Sequence, residues 1–218
     1  HLKITGAVIL NMQSTQASSL LEKAIGISVQ NSQNGGGSPN LRGMEANRLL
    51  IIVDGIALNN TIFRGGHLQS TSIINPNFLQ GAEVLFGPAS VAYGNGAMGG
   101  AILFTTKDPE NENNNQFIQQ YESSSNAVFT SLTSNYKIKN STNVSGFSLK
   151  SYGDLKMGRN RMHGFKDWGK EAIITEGSNT QKGTSYQQTD FFHKTLFKLS
   201  NTNFILFNSQ FSTSSNIN

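Results

Sequence analysis

The most prominent candidate for chemistry in this sequence is a glycine-rich segment, Gly94 to Gly99, which fits the dinucleotide-binding pattern G-x-G-x-x-G. That pattern holds a pyrophosphate only where a strand precedes it and a helix follows it, because the phosphate rests on the helix N-terminus. Here the glycines lead into residues 101–106, Ala-Ile-Leu-Phe-Thr-Thr, which is a strand by composition. The Asn-rich segment after them places no acidic residue in a βαβ setting. The sequence therefore argues against nucleotide binding.

The other polar residues form no catalytic pattern that we recognise. No Ser lies in a G-x-S-x-G sequence and no H-E-x-x-H occurs, so neither a nucleophile elbow nor a zinc-protease helix is present. The acidic residues are too dispersed to nominate an acid–base pair. Cys is absent, which excludes disulfides and thiolate metal sites. We therefore expect no enzyme activity, no cofactor and no metal site.

Composition and charge limit the classes of partner. The chain has 218 residues and a net charge of +4, and its basic residues are scattered rather than interleaved with aromatic ones. Nucleic-acid binding requires a clustered basic face, so it is not expected. No apolar run approaches the roughly 18 residues of a transmembrane helix. Residues 4–10 are apolar but too short for such a helix, and they lack the features of a signal peptide. We predict a strand there.

The elements that must position any functional residues fall into two parts, and the first part, residues 1–109, has the pattern of a small α/β unit. Residues 17–25 carry one apolar stripe at helical spacing. Residues 49–53 form a continuous apolar run, which is typical of a strand covered on both faces. The pair Asp54-Gly55 follows this run and predicts a turn. Two more strands flank the glycine-rich segment.

In the second part, residues 110–218, the pattern changes to alternation. Along residues 128–138 the apolar side chains share one face with Thr and Ser, and polar side chains occupy the other face. We count about five such strands near ten residues each, a length that crosses a bilayer when the strand is tilted. A long segment, residues 153–185, separates the third strand from the fourth. Short turns at one end and long loops at the other are the layout of outer-membrane barrels.

Five strands cannot close a barrel. An open edge in hydrocarbon leaves backbone N–H and C=O groups without partners, and single-chain bacterial barrels have an even number of strands. We therefore expect the chain to be the N-terminal part of a longer protein.

Several motifs occur in the order found in the plug domain of TonB-dependent outer-membrane receptors. The segment that ends the plug in this family is similar to residues 83–107 of this sequence. The other similar segments are a helix and strand at residues 20–30, Ser-Pro-Asn-Leu-Arg-Gly at 38–43, and the strand ending in Asp-Gly at 48–55. Residues 63–69, Phe-Arg-Gly-Gly-His-Leu-Gln, resemble a form associated with Bacteroidetes members. The resemblance extends over nearly the whole chain.

This resemblance implies an α+β plug domain at residues 1–109, followed at residues 110–218 by antiparallel transmembrane strands, the N-terminal fragment of a 22-stranded barrel. It implies active uptake across the Gram-negative outer membrane, in contact with its lipid and driven by TonB. The expected ligand is a ferric siderophore or haem, with a cobalamin or glycan importer as an alternative. The rival interpretation is a surface binding or adhesin module without transport.

The resemblance also points to residues that contact the ligand. Residues 31–38 and 59–67 match loops at the plug apex, so Phe63, Arg64 and His67 are the candidates. Arg suits an anionic chelate, because it forms charge-assisted hydrogen bonds. His67 is interpreted either as a ligand to haem iron or as an ordinary exposed histidine without a ligand.

Arg42 and Glu83 are the candidates for contact between plug and barrel. Many family members have a Lys or Arg before the Gly-Pro pair, whereas Phe86 stands there in this chain. Arg42 matches the other plug arginine, and we expect it to be the main charge left on that surface. It is interpreted either as a charge that holds barrel carboxylates or as a solvated loop residue. Glu83 is either a buried partner of Arg42 or Arg48, or a charge at a strand end.

Overall fold

The computed structural model of the chain describes residues 1–23, 26–30, 37–44, 48–58, 71–94, 97–156 and 180–215. Within these residues, a mixed five-stranded sheet in the first half of the chain and an antiparallel five-stranded sheet in the second half are joined by side-chain contacts. We call residues 1–106 the N-terminal unit and the second of these sheets the C-terminal sheet.

The N-terminal unit consists, where it is described, of β1 (Leu2–Thr5), α1 (Gly6–Met12), α2 (Ala17–Glu22), β2 (Ile27–Gln30), β3 (Ser38–Leu41), β4 (Leu49–Val53), β5 (Ile56–Ala57), β6 (Leu79–Phe86) and β7 (Gly100–Thr106). Its sheet has the order β1-β6-β7-β4-β5, in which β4 and β7 are parallel and the other pairs antiparallel. β2 and β3 pair with each other. No α-helix in the described ranges is long and apolar enough to cross a membrane.

The strand β4 is buried along its whole length. Leu49, Ile51 and Val53 pack in the same core as Leu20 and Leu21 of α2. The alternate residues of β4 pack in a second cluster with two alanines, Ala97 and Ala101. Because successive side chains of a strand point to opposite faces, this arrangement confirms the prediction of a strand covered on both sides.

The glycine-rich corner connects two strands, as predicted. A 3-10 helix, Gly87–Tyr93, leaves β6, and β7 begins at Gly100, so no helix starts at Gly99. Gly100 has a φ of +152°, and a Cβ there would lie 2.6 Å from the carbonyl oxygen of Leu85. Glycine is required here because two backbones approach closely. In the described residues of this corner, a phosphate would find no α-helix N-terminus.

The apolar run at residues 4–10 is only partly a strand, and our prediction was wrong for its second half. β1 ends at Thr5, opposite Gly81 of β6, and α1 begins at Gly6. The register of β6 is irregular just before Gly81. A Cβ on Gly6 would lie 2.9 Å from the carbonyl oxygen of Gln80. A side chain therefore does not fit at Gly6, and at this residue the chain leaves the sheet as a helix.

The C-terminal sheet is an antiparallel meander of β8 (Asn114–Glu122), β9 (Ala127–Ile138), β10 (Ser141–Tyr152), β13 (Tyr186–Lys198) and β14 (Phe204–Ser214). Its order, β14-β13-β10-β9-β8, confirms the predicted five-stranded meander for the described part of the chain. Between β10 and β13, a short strand β11 (Leu155–Lys156) pairs with β12 (Thr180–Gln181). The turns that join β9 to β10 and β13 to β14 are short, as the sequence indicated.

The face of the C-terminal sheet that points away from the N-terminal unit is apolar at its centre. One residue from each strand forms a row in register, and all five side chains are 43–64% exposed: Phe117, Leu132, Phe147, Phe191 and Phe211. Val128 and Ile138 of β9 are also exposed. Val128, Leu132 and Ile138 therefore lie on the outer face, as the membrane interpretation predicted, whereas Phe129 is buried on the inner face with Tyr152 and Tyr186, which the prediction did not include.

Candidate functional site

The inner face of the C-terminal sheet contacts the N-terminal unit, largely through polar side chains. Buried polar residues on this face include Ser131, Thr133, Asn135, Ser148, Lys150, Gln188, Asp190 and Lys194. Burying polar groups is unfavourable unless hydrogen bonds replace those made with water. The hydrogen bonds and ion pairs that these side chains make therefore determine how the two parts of the chain are held together.

Lys194 on β13 binds two carboxylates, that of Asp54 in the N-terminal unit and that of Asp108 in the segment between β7 and β8. Its Nζ lies 2.9 Å from Oδ1 of Asp108 and 3.6 Å from Oδ1 of Asp54, and it donates to the carbonyl oxygen of Thr106 at 3.3 Å. The Lys194 side chain is 3% exposed. Because the ammonium group is desolvated, removal of its carboxylate partners would leave a buried charge without compensation. We call Lys194, Asp54, Asp108, Thr106 and Asn208 the Lys194 cluster.

Asp54 lies at the centre of the Lys194 cluster, although the sequence assigned it only to a turn. Its φ of +48° is in the left-handed region, which Asp and Asn tolerate better than most residues. Oδ1 accepts from the backbone N–H of Thr106 at 2.9 Å, and Oδ2 accepts from the Thr106 hydroxyl at 2.5 Å. Oδ2 also accepts from Nδ2 of Asn208 on β14 at 2.7 Å. One carboxylate thus joins the end of β7 to two strands of the C-terminal sheet.

Asp190 on β13 is the centre of a second buried cluster. Its Oδ1 accepts from Nε2 of Gln188 at 2.5 Å and Oγ of Ser212 at 2.7 Å, and its Oδ2 accepts from Nδ2 of Asn75 at 2.9 Å, Oγ of Ser148 at 3.0 Å and Nζ of Lys150 at 3.2 Å. The Lys150 and Asp190 side chains are each 4% exposed. We call these six residues the Asp190 cluster, in which Asn75 is the member from the N-terminal unit.

Three residues after Asn75, the ring of Phe78 packs against the C-terminal sheet beside a glycine. Phe78 stacks on Phe192 of β13, with ring centroids 5.6 Å apart and planes 23° apart. On β10, a Cβ added to Gly146 would lie 2.6 Å from the Phe78 ring. Oδ1 of Asn75 accepts from the backbone N–H of Asn77 at 3.0 Å and so caps the 3-10 helix Pro76–Phe78 that presents the ring.

Further hydrogen bonds cross the same contact. Nε2 of Gln16, before α2, donates to the hydroxyl of Tyr152 at 2.9 Å. Nζ of Lys107, in the segment between β7 and β8, donates to Oε1 of Gln116 at 2.8 Å. Burial lowers the pKa of Lys107, and the nearby Glu110 carboxylate partly opposes this shift. The contact between the two parts of the chain is therefore polar at several separate places.

Arg42 and Glu83 have partners within the N-terminal unit. Arg42 is exposed, and its guanidinium lies 4.7 Å from the ring centroid of Phe86, so the two side chains form a cation–π contact. Oε1 of Glu83 lies 3.3 Å from Nζ of Lys3, which faces it directly in the β1–β6 pair. Among the described residues the ion pairs of Glu83 are with Lys3 and His1, so of the two interpretations of Glu83 the pairing with Arg42 or Arg48 is not seen there. Contact of either residue with a barrel remains a prediction.

The structure describes only some of the site residues that the sequence predicted. Phe63, Arg64 and His67 lie outside the described residues. We expected Arg42 to be the main charge between the two parts, but the ion pairs that cross the described contact are those of Lys194 with Asp54 and Asp108. A signal for Asp54 was available, because parallel strands end at the same edge of a sheet and Asp54 follows β4 at the edge where β7 ends. No group of three or more His, Asp or Glu residues suited to a metal occurs in the described ranges.

Comparison with known sequences identifies proteins that are similar to the N-terminal unit. The family model "TonB-dependent Receptor Plug Domain" matches residues 2–101. The Heme/hemopexin utilization protein C of Haemophilus influenzae is 31% identical over 113 residues, which cover 50% of this chain and 15% of that protein. The Hemin receptor of Yersinia enterocolitica is 35% identical over 95 residues, 43% of this chain and 13% of that protein.

Comparison with solved structures covers both parts of the chain. The siderophore receptor PirA from Acinetobacter baumannii aligns with 98% of this chain and 31% of its own, at a TM-score of 0.73 and 18% identity. At this identity the likeness establishes a shared fold, in which the N-terminal unit and the C-terminal sheet occur together. The chain thus spans about a third of that solved structure, and the aligned segments of the two sequence relatives span 13–15% of their lengths.

Proposed function

Because the chain belongs to the TonB-dependent receptor family, we propose that it forms the plug and the first wall strands of an outer-membrane receptor that takes up haem or a ferric siderophore. In this proposal the N-terminal unit is the plug, the C-terminal sheet is part of the barrel wall, and the boundary lies near residue 109. TonB supplies the energy for transport. The observation that carries the proposal is a sheet whose outer face is apolar and whose inner face binds the plug through buried polar clusters.

The chemistry of the plug–wall contact suits a gate that must stay closed and then open. Apolar contacts are lost without replacement when the plug moves and water enters. Hydrogen bonds between plug and wall can instead be replaced by hydrogen bonds to water as the plug shifts. The buried ammonium group of Lys194, paired with the plug carboxylates, opposes spontaneous release, because a single charge left buried is strongly unfavourable. Such a contact holds the plug at rest and permits movement under a pulling force.

The proposed ligand class rests on the relatives. Two of them are named for haem or hemin, and the aligned solved structure is named as a siderophore receptor. Haem and ferric siderophores are both scarce iron-bearing molecules, which fits a transporter that consumes energy. Cobalamin and glycans remain the alternatives for the experiment to distinguish.

The test is growth of a strain that lacks the full-length receptor and then regains it. The strain receives haem, a ferric siderophore, cobalamin or a glycan as the only source of the corresponding nutrient, with TonB present or absent. We expect the receptor to restore growth on haem or a ferric siderophore, and only when TonB is present. Growth restored on cobalamin alone would contradict the ligand class. Surface binding without any uptake in TonB-positive cells would support the adhesin interpretation instead.

Two arginine variants separate the proposed plug anchor from the proposed plug apex, where Phe63, Arg64 and His67 are the ligand contacts. Arg42→Ala should lower energised uptake and leave ligand binding at the cell surface nearly unchanged. Arg64→Ala should weaken surface binding about tenfold or more, because it removes a charge-assisted hydrogen bond to an anionic ligand. Binding and uptake are measured separately with radiolabelled ligand. Loss of binding in Arg42→Ala, with no change in Arg64→Ala, would reverse the two assignments.

A further inference from the structure

We propose that residues 75–78 of the plug act as a docking key, and that Gly146, Ser148, Asp190 and Phe192 of the wall form the socket that fixes the closed position of the plug. The inference rests on the proposed function and extends it, because it names the positioning residues of the closed gate. It follows from three observations. Both the oxygen and the nitrogen of the Asn75 amide make hydrogen bonds, the Phe78 ring packs against Gly146, and the conformation of the strand does not itself require glycine at position 146.

The side-chain amide of Asn75 is oriented by a hydrogen bond within the key, and it donates hydrogen bonds to the socket. Its Oδ1 accepts from the backbone N–H of Asn77, so the opposite end of the amide, Nδ2, points to the wall. There Nδ2 donates to Oδ2 of Asp190 and to Oγ of Ser148. Asn75 is 4% exposed, so these bonds are made away from water. A carboxylate at this position would have no proton to donate and would repel Asp190.

The ring of Phe78 fills the space that a side chain on Gly146 would occupy. Phe78 is 5% exposed and packs with Val144 and Phe192 of the wall. The carbonyl oxygen of Phe78 accepts from the backbone N–H of Lys107 at 2.8 Å, in the segment that leads from plug to wall. The key is therefore held on the plug side by backbone bonds and on the wall side by ring contacts.

Nothing within the wall itself requires glycine at position 146. It pairs in register with Thr133 of β9 and Phe192 of β13, in the middle of a regular strand. It is not among the glycines with positive φ, so its backbone conformation does not demand glycine. Glycine inside a strand weakens it and commonly marks a close approach of another group. The group that approaches here is the Phe78 ring.

The experiment uses the purified full-length receptor in a planar bilayer, where ion conductance appears when the plug leaves the wall during a urea ramp. Gly146→Ala should increase the conducting fraction at a fixed urea concentration about tenfold, because one added methyl group overpacks a filled site. Phe78→Ala should also increase it, because the ring contacts are lost. In the Phe78→Ala background, adding Gly146→Ala should cause no further increase, because the space is then free.

The matched control is Ser145→Ala, which alters the neighbouring residue of β10 on the opposite face and should leave the conductance unchanged. The shift in electrophoretic mobility on heating establishes that each variant barrel is folded. If the Gly146→Ala barrel does not fold, Asn75→Asp tests the same socket from the plug side and should raise the conducting fraction. An unchanged conductance in Gly146→Ala or Asn75→Asp, or additive effects of Gly146→Ala and Phe78→Ala, would overturn the proposal. Neither ligand nor TonB is needed, so failure of the key is distinguishable from failure of the proposed function.

Discussion

Asp54→Ala is expected to loosen the plug from the wall and to abolish energised uptake. The substitution removes the acceptor for four hydrogen bonds, from the Thr106 backbone and hydroxyl, from Asn208 and, at 3.5 Å, from Gln210. It also leaves Lys194 with Asp108, whose side chain is 59% exposed, as its remaining carboxylate. Removing one partner of a buried pair costs about 3–5 kcal/mol. Alanine at a φ of +48° adds about 1–2 kcal/mol of backbone strain.

The measurement is the urea concentration at which the full-length receptor begins to conduct ions, together with uptake of labelled ligand. The matched control is Asp54→Asn, which tolerates the left-handed backbone and keeps an acceptor for the Thr106 N–H while it removes the charge. We expect an intermediate loss for this variant. If Asp54→Ala began to conduct at the wild-type urea concentration, the Lys194 cluster would not hold the plug.

Asp190→Ala is expected to destabilise both the wall and the seating of the plug. Lys150 would remain buried with its counter-charge removed, since its side chain is 4% exposed, and the donors around Asp190 would lose their acceptor. The expected loss is about 3–5 kcal/mol in the free energy of unfolding. Unfolding of the purified full-length receptor in urea, followed by the loss of β-sheet signal, measures it.

A double variant distinguishes the charge pair from general damage to the sheet. Lys150→Met combined with Asp190→Asn removes both charges and keeps an amide oxygen as acceptor, so it should recover part of the lost stability. Lys137→Met, which changes an exposed lysine of β9, should unfold like the wild type. A double variant no more stable than Asp190→Ala would contradict the assigned role of the Lys150–Asp190 pair.

Elements with one strong periodic signal could be predicted from the sequence. The apolar run 49–53 ends in three β-branched residues and the turn pair Asp54-Gly55, which favour a strand covered on both faces, and the alternation of residues 128–138 indicates which side chains of β9 point outward. The run 4–10 has no such unique solution, because short apolar runs fit strand and helix equally. In the structure the run divides at Gly6, beside the irregular register of β6, and the sequence does not display that irregularity.

The site was harder to predict than the fold, because its residues have ordinary local roles. Asp54 satisfies a turn and Asn75 caps a short 3-10 helix, and either role is sufficient reason for an Asp or an Asn. Their second role depends on β13 and β14, which lie far away along the chain. Arg42 stood out because it matches a family motif, yet its contact with Phe86 is local to the N-terminal unit.

The distance along the chain between these partners has a consequence for how the protein folds. Asp54 and Asn208 are 154 residues apart, Gln16 and Tyr152 are 136 apart, and Asn75 and Asp190 are 115 apart. Contacts of such high sequence separation form late, since a long loop must be closed before they contribute any stability. The N-terminal unit is synthesised first, but Asp54 and Asn75 can bind these partners only after β13 and β14 have joined the sheet. Until then Asp54 and Asn75 lack their partners on these strands, so the contacts of residues that are synthesised early are among the last to form.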